Sequence, residues 1–322
     1  MSEKIQLAEL VPDELTGMRL DQALARMFPE FSRGQLTKWI KSGDVSVDNK
    51  QLRPRDSVTG GEHVSISTEL SNQDDSWTAE SISLDIVHED DDVIILNKPA
   101  GMVVHPGAGN QQGTLVNALL AHAPQLSAIP RAGIVHRIDK ATTGLLMVAK
   151  TLQAHNSLVS QLQARTVVRE YQAIAVGVMT AGGTVDAPIG RHHLDRKRMA
   201  VSQSGKPAVT HYRVEQRFRA HTYIRCKLET GRTHQIRVHM AYIRHPLLGD
   251  PVYGGRFKLA KGMTEVCREA IQGFRRQALH AGILGFKHPS SGEDVSWQVD
   301  LPEDMQTILS ILAEDARQAE ND

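Results

Sequence analysis

Five consecutive residues, His136-Arg137-Ile138-Asp139-Lys140, set one carboxylate among three basic groups. A small-residue turn, Ala141-Thr142-Thr143-Gly144, follows, then an apolar run, Leu145 to Ala149; Gly133-Ile134-Val135 precedes them. An apolar run bounded by glycine reads as a buried strand, so Asp139 stands where the chain meets a core. An ionised carboxylate taken out of water is costly unless a cation compensates it. A pocket that meets that cost is a candidate for chemistry at Asp139; the plain alternative is a loop aspartate held by its basic neighbours. A second set of reactive types is GRTHQIRVHM at 231–240. There Thr233 is placed to cap an amphipathic helix with Ile236, Met240 and Ile243 on its apolar face. His234 and His239 lie five apart and so do not share the i, i+4 face of a zinc helix. Tyr171, in the strand-like stretch 167–176, has the setting of an ordinary core tyrosine. RHHLDRKR at 191–198 reads equally as a solvated loop or a phosphate-binding loop, and its His pair lacks partners at zinc spacing.

The elements that must position these residues follow from periodicity. Leu20, Ala23, Leu24, Met27 and Phe28 mark a helix that Pro29 ends. Ser32 and Gln35 have the spacing of a capping box for a second helix. That helix turns Leu36, Trp39 and Ile40 inward, leaves Arg33, Lys38 and Lys41 on the other side, and ends at Gly43. Val45 and Val47 begin a strand, Asp48-Asn49 a turn, and Val64-Ser65-Ile66 a further strand. Residues 1–15 carry little signal. From Leu84 to Leu96 a β-hairpin turns at Asp90–Asp92. The Gly- and Pro-rich NKPAGMVVHPGAGN then crosses the surface, and its GAGN lacks the third glycine of a dinucleotide loop. A helix is expected over 114–121 and another over 155–164, strands over 209–214, 223–228 and 295–297, and an acidic C-terminal helix.

The chain has 322 residues, enough for one or two domains with a substantial core. Its 37 Lys and Arg balance its 37 Asp and Glu, which taken alone argues against a polyanionic partner. The distribution reverses that. Residues 69–92 hold nine acids and no Lys or Arg, whereas 16–61 hold eight basic against five acidic residues. Two cysteines, Cys226 and Cys267, support neither a disulfide framework nor a zinc cluster. With no signal-like N-terminus and no apolar run long enough to span a bilayer, a cytoplasmic protein is expected.

Three segments, KPAG-x-VVHP, HRIDK and GRTHQIRVHM, stand in the order of the motifs of the large pseudouridine synthase family, which the chain resembles from about Thr16 to Pro302. HPGAGN, RAGIVHRIDK, GKPAVTHYR and GDPVYGG are similar to its large-subunit rRNA branch. One position departs from the usual motif, with Ala141 in place of a second aspartate. The order RLD, SRxQ, GDVSVDNK at the N-terminus resembles the S4 RNA-binding domain. The resemblance implies an α+β protein: a small α/β S4-like RNA-binding domain over 1–68, an acidic linker over 69–82, and a mixed, mainly antiparallel sheet domain with flanking helices over 83–322. It implies that Asp139 is the catalytic residue. Arg137 would fill the gap left by a flipped uridine, Tyr171 and Ile236 would pack on the base, and Arg237 would orient the carboxylate. Arg19, Arg33, Lys38, Lys41 and Arg53 would contact phosphates. The implied substrate is 23S rRNA, in the helix 69 loop or a large-subunit precursor, modified by a monomer with no cofactor and no metal. Two other classes remain. A glycoside or nucleoside hydrolase would use two carboxylates about 5–9 Å apart, and the motifs offer one. A non-catalytic RNA-binding protein would need only the S4-like region.

Overall fold

A computed structural model describes residues 3–29, 31, 33–70, 77–107, 110–195, 198–255 and 261–321. The chain separates into two compact units, Met1–Ser76 and Trp77–Asp322. The smaller comprises β1 (Glu3–Leu10), α1 (Leu20–Met27), α2 (Arg33–Ser42), β2 (Val45–Val47) and β3 (His63–Leu70). The strands form an antiparallel sheet ordered β1-β3-β2. Both helices bury the faces that periodicity assigns, with Leu20, Leu24, Leu36, Trp39 and Ile40 in one core with Val45, Val64 and Ile66. Asp48 and Asn49 both take left-handed backbone, with φ 47° and 60°, and close the turn after β2. Strand β1 is a finding that sequence did not supply. It lies at the sheet edge, and its alternation is short: Ile5 and Leu7 pack on the core, Gln6 and Ala8 are exposed, and residues 8–10 are all exposed. Ser32, the expected helix cap, lies outside the described residues.

The larger unit opens with β4 (Ile86–Glu89) and β5 (Val93–Lys98). There follow α3 (Leu115–His122), β6 (Thr143–Ala149), α4 (Leu152–Ala164), β7 (Val168–Val176) and β8 (Gly183–Asp186). Next come β9 (Ile189–Arg191), β10 (Met199–Val201), β11 (Val209–Arg217), β12 (His221–Leu228) and α5 (Gln235–Tyr242). Last are α6 (Glu265–Gly273), β13 (Leu279–Lys287), β14 (Asp294–Gln298) and α7 (Glu303–Asn321). Nine strands form one sheet ordered β4-β5-β6-β13-β7-β12-β11-β8, with β14 pairing on β13. All pairings are antiparallel except β6 with β13.

Strand β6 is buried along its whole length because both faces are covered. Leu146 and Val148 pack in the main core, while Leu145, Met147 and Ala149 pack in a second core beneath α4. Gly144, its second residue, has φ 108°, and a Cβ there would lie 2.3 Å from the carbonyl oxygen of Ala281 on β13. Only glycine permits that approach. Part of the expected acidic linker is pinned instead. Residues 71–76 lie outside the described residues, but Trp77 packs on the main core. The Thr78 carbonyl accepts from Asn117 at 2.8 Å, and the Glu80 carboxylate accepts from the Gly113 amide at 3.1 Å.

Helix α5 corrects two expectations. His234, not Thr233, is its N-cap, in left-handed backbone with φ 57° and no side-chain cap. The carboxamide oxygen of Gln235 ties the turn, accepting from the Arg232 amide at 2.9 Å and the Thr230 hydroxyl at 2.8 Å. Nor is the helix amphipathic, since Gln235 through Met240 are all buried. Its polar residues satisfy themselves inside: His239 meets Thr210 Oγ1 and the Ala187 carbonyl, each at 2.9 Å.

Candidate active site

Asp139 lies in the irregular segment between the short 3-10 turn Pro130–Gly133 and β6. Its backbone carbonyl accepts from the Thr142 amide at 3.0 Å, which turns the chain into the strand. Its carboxylate is reached from α5: Arg237 Nη1 donates to Asp139 Oδ2 at 2.9 Å. The same guanidinium holds Asp250, in the loop after α5, through a two-pronged pair, Nε to Oδ2 at 2.7 Å and Nη2 to Oδ1 at 2.9 Å. Asp250 Oδ1 also accepts the amides of Val252 and Tyr253 at 2.9 and 3.0 Å. Burial pushes Asp250 upward, but Arg237 and these amides outweigh it and hold the carboxyl below its ordinary range. Asp250 is therefore no second catalytic carboxylate. It is fully buried and committed on both oxygens.

His234 Nε2 stands 3.9 Å from Asp139 Oδ1, and its Nδ1 is 2.8 Å from the Tyr253 hydroxyl. That hydroxyl accepts from the Met199 amide at 2.9 Å, which joins the β9–β10 hairpin to the site. Burial lowers the His234 pKa against the pull of Asp139. The Arg237 guanidinium lies 5.1 Å from the Tyr253 ring centre and that of Arg198 lies 5.4 Å from it. Tyr171, central on β7, is buried in the main core with Ile236. Burial raises its pKa; Arg169 opposes the shift and Asp139 adds to it.

Lys98, the last residue of β5, is buried beneath this constellation. Its ammonium donates to the carbonyls of Pro99, Met102 and Lys140 at 2.7, 3.1 and 3.1 Å. The Gly101 amide also meets the Lys140 carbonyl, at 2.8 Å. The turn after Asp139 is thus tied to the KPAG segment, although Ala141 offers it no side-chain hydrogen bond.

Of the expected site residues, Asp139, Arg237, Tyr171 and Ile236 come together. Arg137 is exposed two residues before Asp139. In the smaller unit Arg19 and Arg33 meet on Asp21, at 3.0 and 2.7 Å. Lys38, Lys41 and Arg53 are exposed elsewhere on that unit. Of the basic segment 191–198, residues 196 and 197 lie outside the described residues; Leu194 at its turn is exposed. Sequence reasoning assigned no role to Lys98, Asp250, His234 or Tyr253. The available signal was a charged residue in an otherwise apolar setting, as in VIILNK and HPLLGDPVY. Among the described residues no three His, Cys, Asp or Glu side chains gather as a metal site needs, and no helix is long and apolar enough to cross a membrane.

A buried arginine holding one partly exposed aspartate, on a mixed sheet, is accompanied by an extensive sequence match. Residues 92–242 match the RNA pseudouridylate synthase family and residues 18–64 the S4 domain. The chain belongs to the RNA pseudouridylate synthase family, and it is an RNA pseudouridine synthase, an isomerase, with an N-terminal S4 domain. Among its relatives is ribosomal large subunit pseudouridine synthase D of Pseudomonas aeruginosa, 56% identical over 98% of both chains. The protein of that name from Escherichia coli is 52% identical over 98% of this chain and 97% of its own. Among solved structures, human RNA pseudouridylate synthase domain containing 4 aligns with a TM-score of 0.56 at 27% identity, over 71% of this chain and 92% of that one.

Proposed function

We propose that the protein isomerises uridines of 23S rRNA, in the loop of helix 69, to pseudouridine during large-subunit maturation in the cytoplasm, as a monomer without cofactor. The observation that carries this reading is the Asp139–Arg237–Asp250 network, in a chain more than half identical, end to end, to proteins named for the large ribosomal subunit. The reaction moves uracil from an N1–C1′ to a C5–C1′ link on one ribose, so atoms and oxidation state are conserved and no redox or phosphoryl partner enters. A stacked base must first leave its helix, at a cost of a few kcal/mol. Arg137, exposed beside Asp139, fills the space left behind. Asp139 acts on the extruded nucleotide. Arg237 orients it, and Asp250 spends its charge fixing Arg237 so that the spare guanidinium edge faces Asp139. Tyr171 packs on the uracil and Ile236 lies under it. Residues 1–68 form the RNA-holding module, with Arg19, Arg33, Lys38, Lys41 and Arg53 on phosphates; 83–322 form the catalytic domain.

Mapping pseudouridines in 23S rRNA from cells with and without the protein tests this directly. Loss of modification in the helix 69 loop, restored by wild type, is expected. Unchanged helix 69 with loss elsewhere would overturn the substrate assignment and leave the chemistry standing.

A further inference from the structure

Arg169, on β7 two residues before Tyr171 and on the same face of the strand, is buried, with 6% of its surface exposed. Among the described residues its side chain makes one hydrogen bond, a long one from Nη2 to the Glu229 carbonyl at 3.3 Å, and its Nε meets no partner. Among the described residues no carboxylate lies within ion-pairing distance of it. Other arginines with little side-chain exposure each hold one: Arg237 has Asp139 and Asp250, Arg219 has Asp315, Arg276 has Asp304. The carboxylate of Glu229, whose backbone carbonyl Arg169 meets, is taken by Arg165 and His211. His136 offers no compensating charge. It accepts the Met147 amide at Nε2, and burial, assisted by Arg169, drives it down to about 3. Gly231 leaves room for the guanidinium, since a Cβ there would stand 2.7 Å from Arg169 Nη1. Among the described residues nothing neutralises this desolvated cation beside the base-packing tyrosine, a costly arrangement for the protein by itself.

We propose that Arg169 is a further catalytic residue, whose guanidinium donates to the carbonyl oxygens of the target uracil and holds the negative charge the detached ring carries. The inference rests on the uridine isomerisation proposed above. When N1–C1′ breaks, its electron pair stays on the ring as a uracil anion, spread over N1 and the two oxygens. C1′ is satisfied meanwhile by a bond to Asp139 or by loss of the 2′ proton. When C5 bonds to C1′ the ring gives up its pair; the Asp139–C1′ bond breaks and the carboxylate leaves, or the 2′ proton returns to C2′, and the C5 proton is then lost to solvent as N1 takes one up. Anionic charge exists only between the two bond changes, so an unpaired buried cation there interacts most strongly with the transition states.

The test compares wild type, Arg169→Met and Arg169→Lys on a helix 69 RNA carrying uridine or 5-fluorouridine at the target, and on both it reads the rate at which the N1-linked nucleoside is consumed, because a C5 fluorine cannot depart as the C5 proton does. Fluorine makes the departing base more acidic and lessens its need for a cation. Wild-type turnover is the entry condition: without it the functional reading fails, and this inference with it. Arg169→Met is expected to lose roughly 100-fold in single-turnover rate on uridine, with RNA affinity changed less than about threefold. The deficit should shrink at least about tenfold on 5-fluorouridine, and Lys should retain more activity than Met. Because the cation is uncompensated in the free protein, Arg169→Met should keep or raise Tm. An active wild type with an Arg169→Met rate within about threefold overturns the inference. So does an equal loss on both substrates, or a lowered Tm, since each means the guanidinium only supports the 229–231 loop.

Discussion

Each unit contains a cluster of three charges, and the two are inverted. In the smaller unit one acid serves two bases: Asp21, with 7% of its side chain exposed, holds Arg19 and Arg33, exposed at 43% and 49%. In the larger unit one base serves two acids: Arg237, 5% exposed, holds Asp250 at 0% and Asp139 at 18%. In both the buried members are scaffold and the accessible member is the one presented outward. Burial works to raise the Asp21 pKa, but hydrogen bonds and charge from Arg33 and Arg19 outweigh it and leave it lowered. In the function proposed above, the first cluster offers guanidiniums to an anion and the second offers a carboxylate to a reaction. The difference teaches where to look for function in an ion network: at its least buried end, not at its strongest bond.

The sharpest break in the comparison is Asp139→Asn. The amide keeps the size of the accessible end and removes its basicity and nucleophilicity. Single-turnover rate should fall by about 10⁴-fold or more, with RNA affinity nearly unchanged in a filter-binding titration; a residual rate above a small fraction of wild type would sink the assignment. Next is Arg237→Met, which strands Asp250 as an unpaired buried charge. A stability loss of roughly 3–5 kcal/mol in denaturant melts is expected, with a rate loss near 100-fold. Arg237→Lys should recover part of both, since it keeps charge without the fork. Asp250→Asn separates scaffold from chemistry: it leaves Asp139 intact, yet should slow the reaction because Arg237 is no longer fixed. A normal rate in that variant would remove Asp250 from the positioning role.

Smaller effects belong to the other cluster. Arg19→Ala with Arg33→Ala should weaken rRNA binding without lowering the rate at saturating RNA. The slope of log affinity against log salt should drop by roughly 0.7–0.9 for each phosphate contact removed. An unchanged slope would mean that both arginines serve only Asp21. Asp21 itself predicts an acid limit for this unit. Its folded pKa lies below the unfolded value near 3.8, so its contribution is present above that value and is lost as pH falls through the folded pKa. Asp21→Asn should flatten the acid limb of the unfolding curve.

Much of this was legible in the chain. The period of α1 and α2 places their buried faces, and the apolar run after Gly144 places β6, because in each case burial follows a repeat that local residues obey. The resemblance carried Asp139, Tyr171, Ile236 and Arg237 to positions that the fold brings together. Strand β1 escaped because its alternation covers only Ile5 to Ala8, too short a run at an otherwise exposed edge to stand out. The buried surroundings of α5 escaped because Gln235, Arg237 and His239 look solvent-facing until their partners on β11, Ala187 and Asp250 arrive from elsewhere in the chain. Asp250 and Lys98 were visible as isolated charges, but their roles depend on contacts 13 and 42 residues distant.

The subtlest test concerns the cation that grips backbone rather than carboxylate. Lys98 has three N–H donors and three carbonyl partners, so its ammonium is fully used. Burial lowers its pKa to about 8, against the pull of Asp139. Between that value and the unfolded 10.5 the unfolded chain binds more protons, so this group makes stability rise with pH. Activity should run the other way. A neutral amine keeps two donors for three carbonyls, and one of the three belongs to Lys140, next to Asp139. As that carbonyl loosens, the aspartate loses its fixed approach to the nucleotide. The single-turnover rate is therefore expected to fall a few-fold, with a midpoint about pH 8, while Tm holds or rises over the same range. Lys98→Arg, which stays charged, should flatten the fall even if its absolute rate is lower. A wild-type rate that is level through this window would show that the ammonium secures the fold and leaves Asp139 positioned without it.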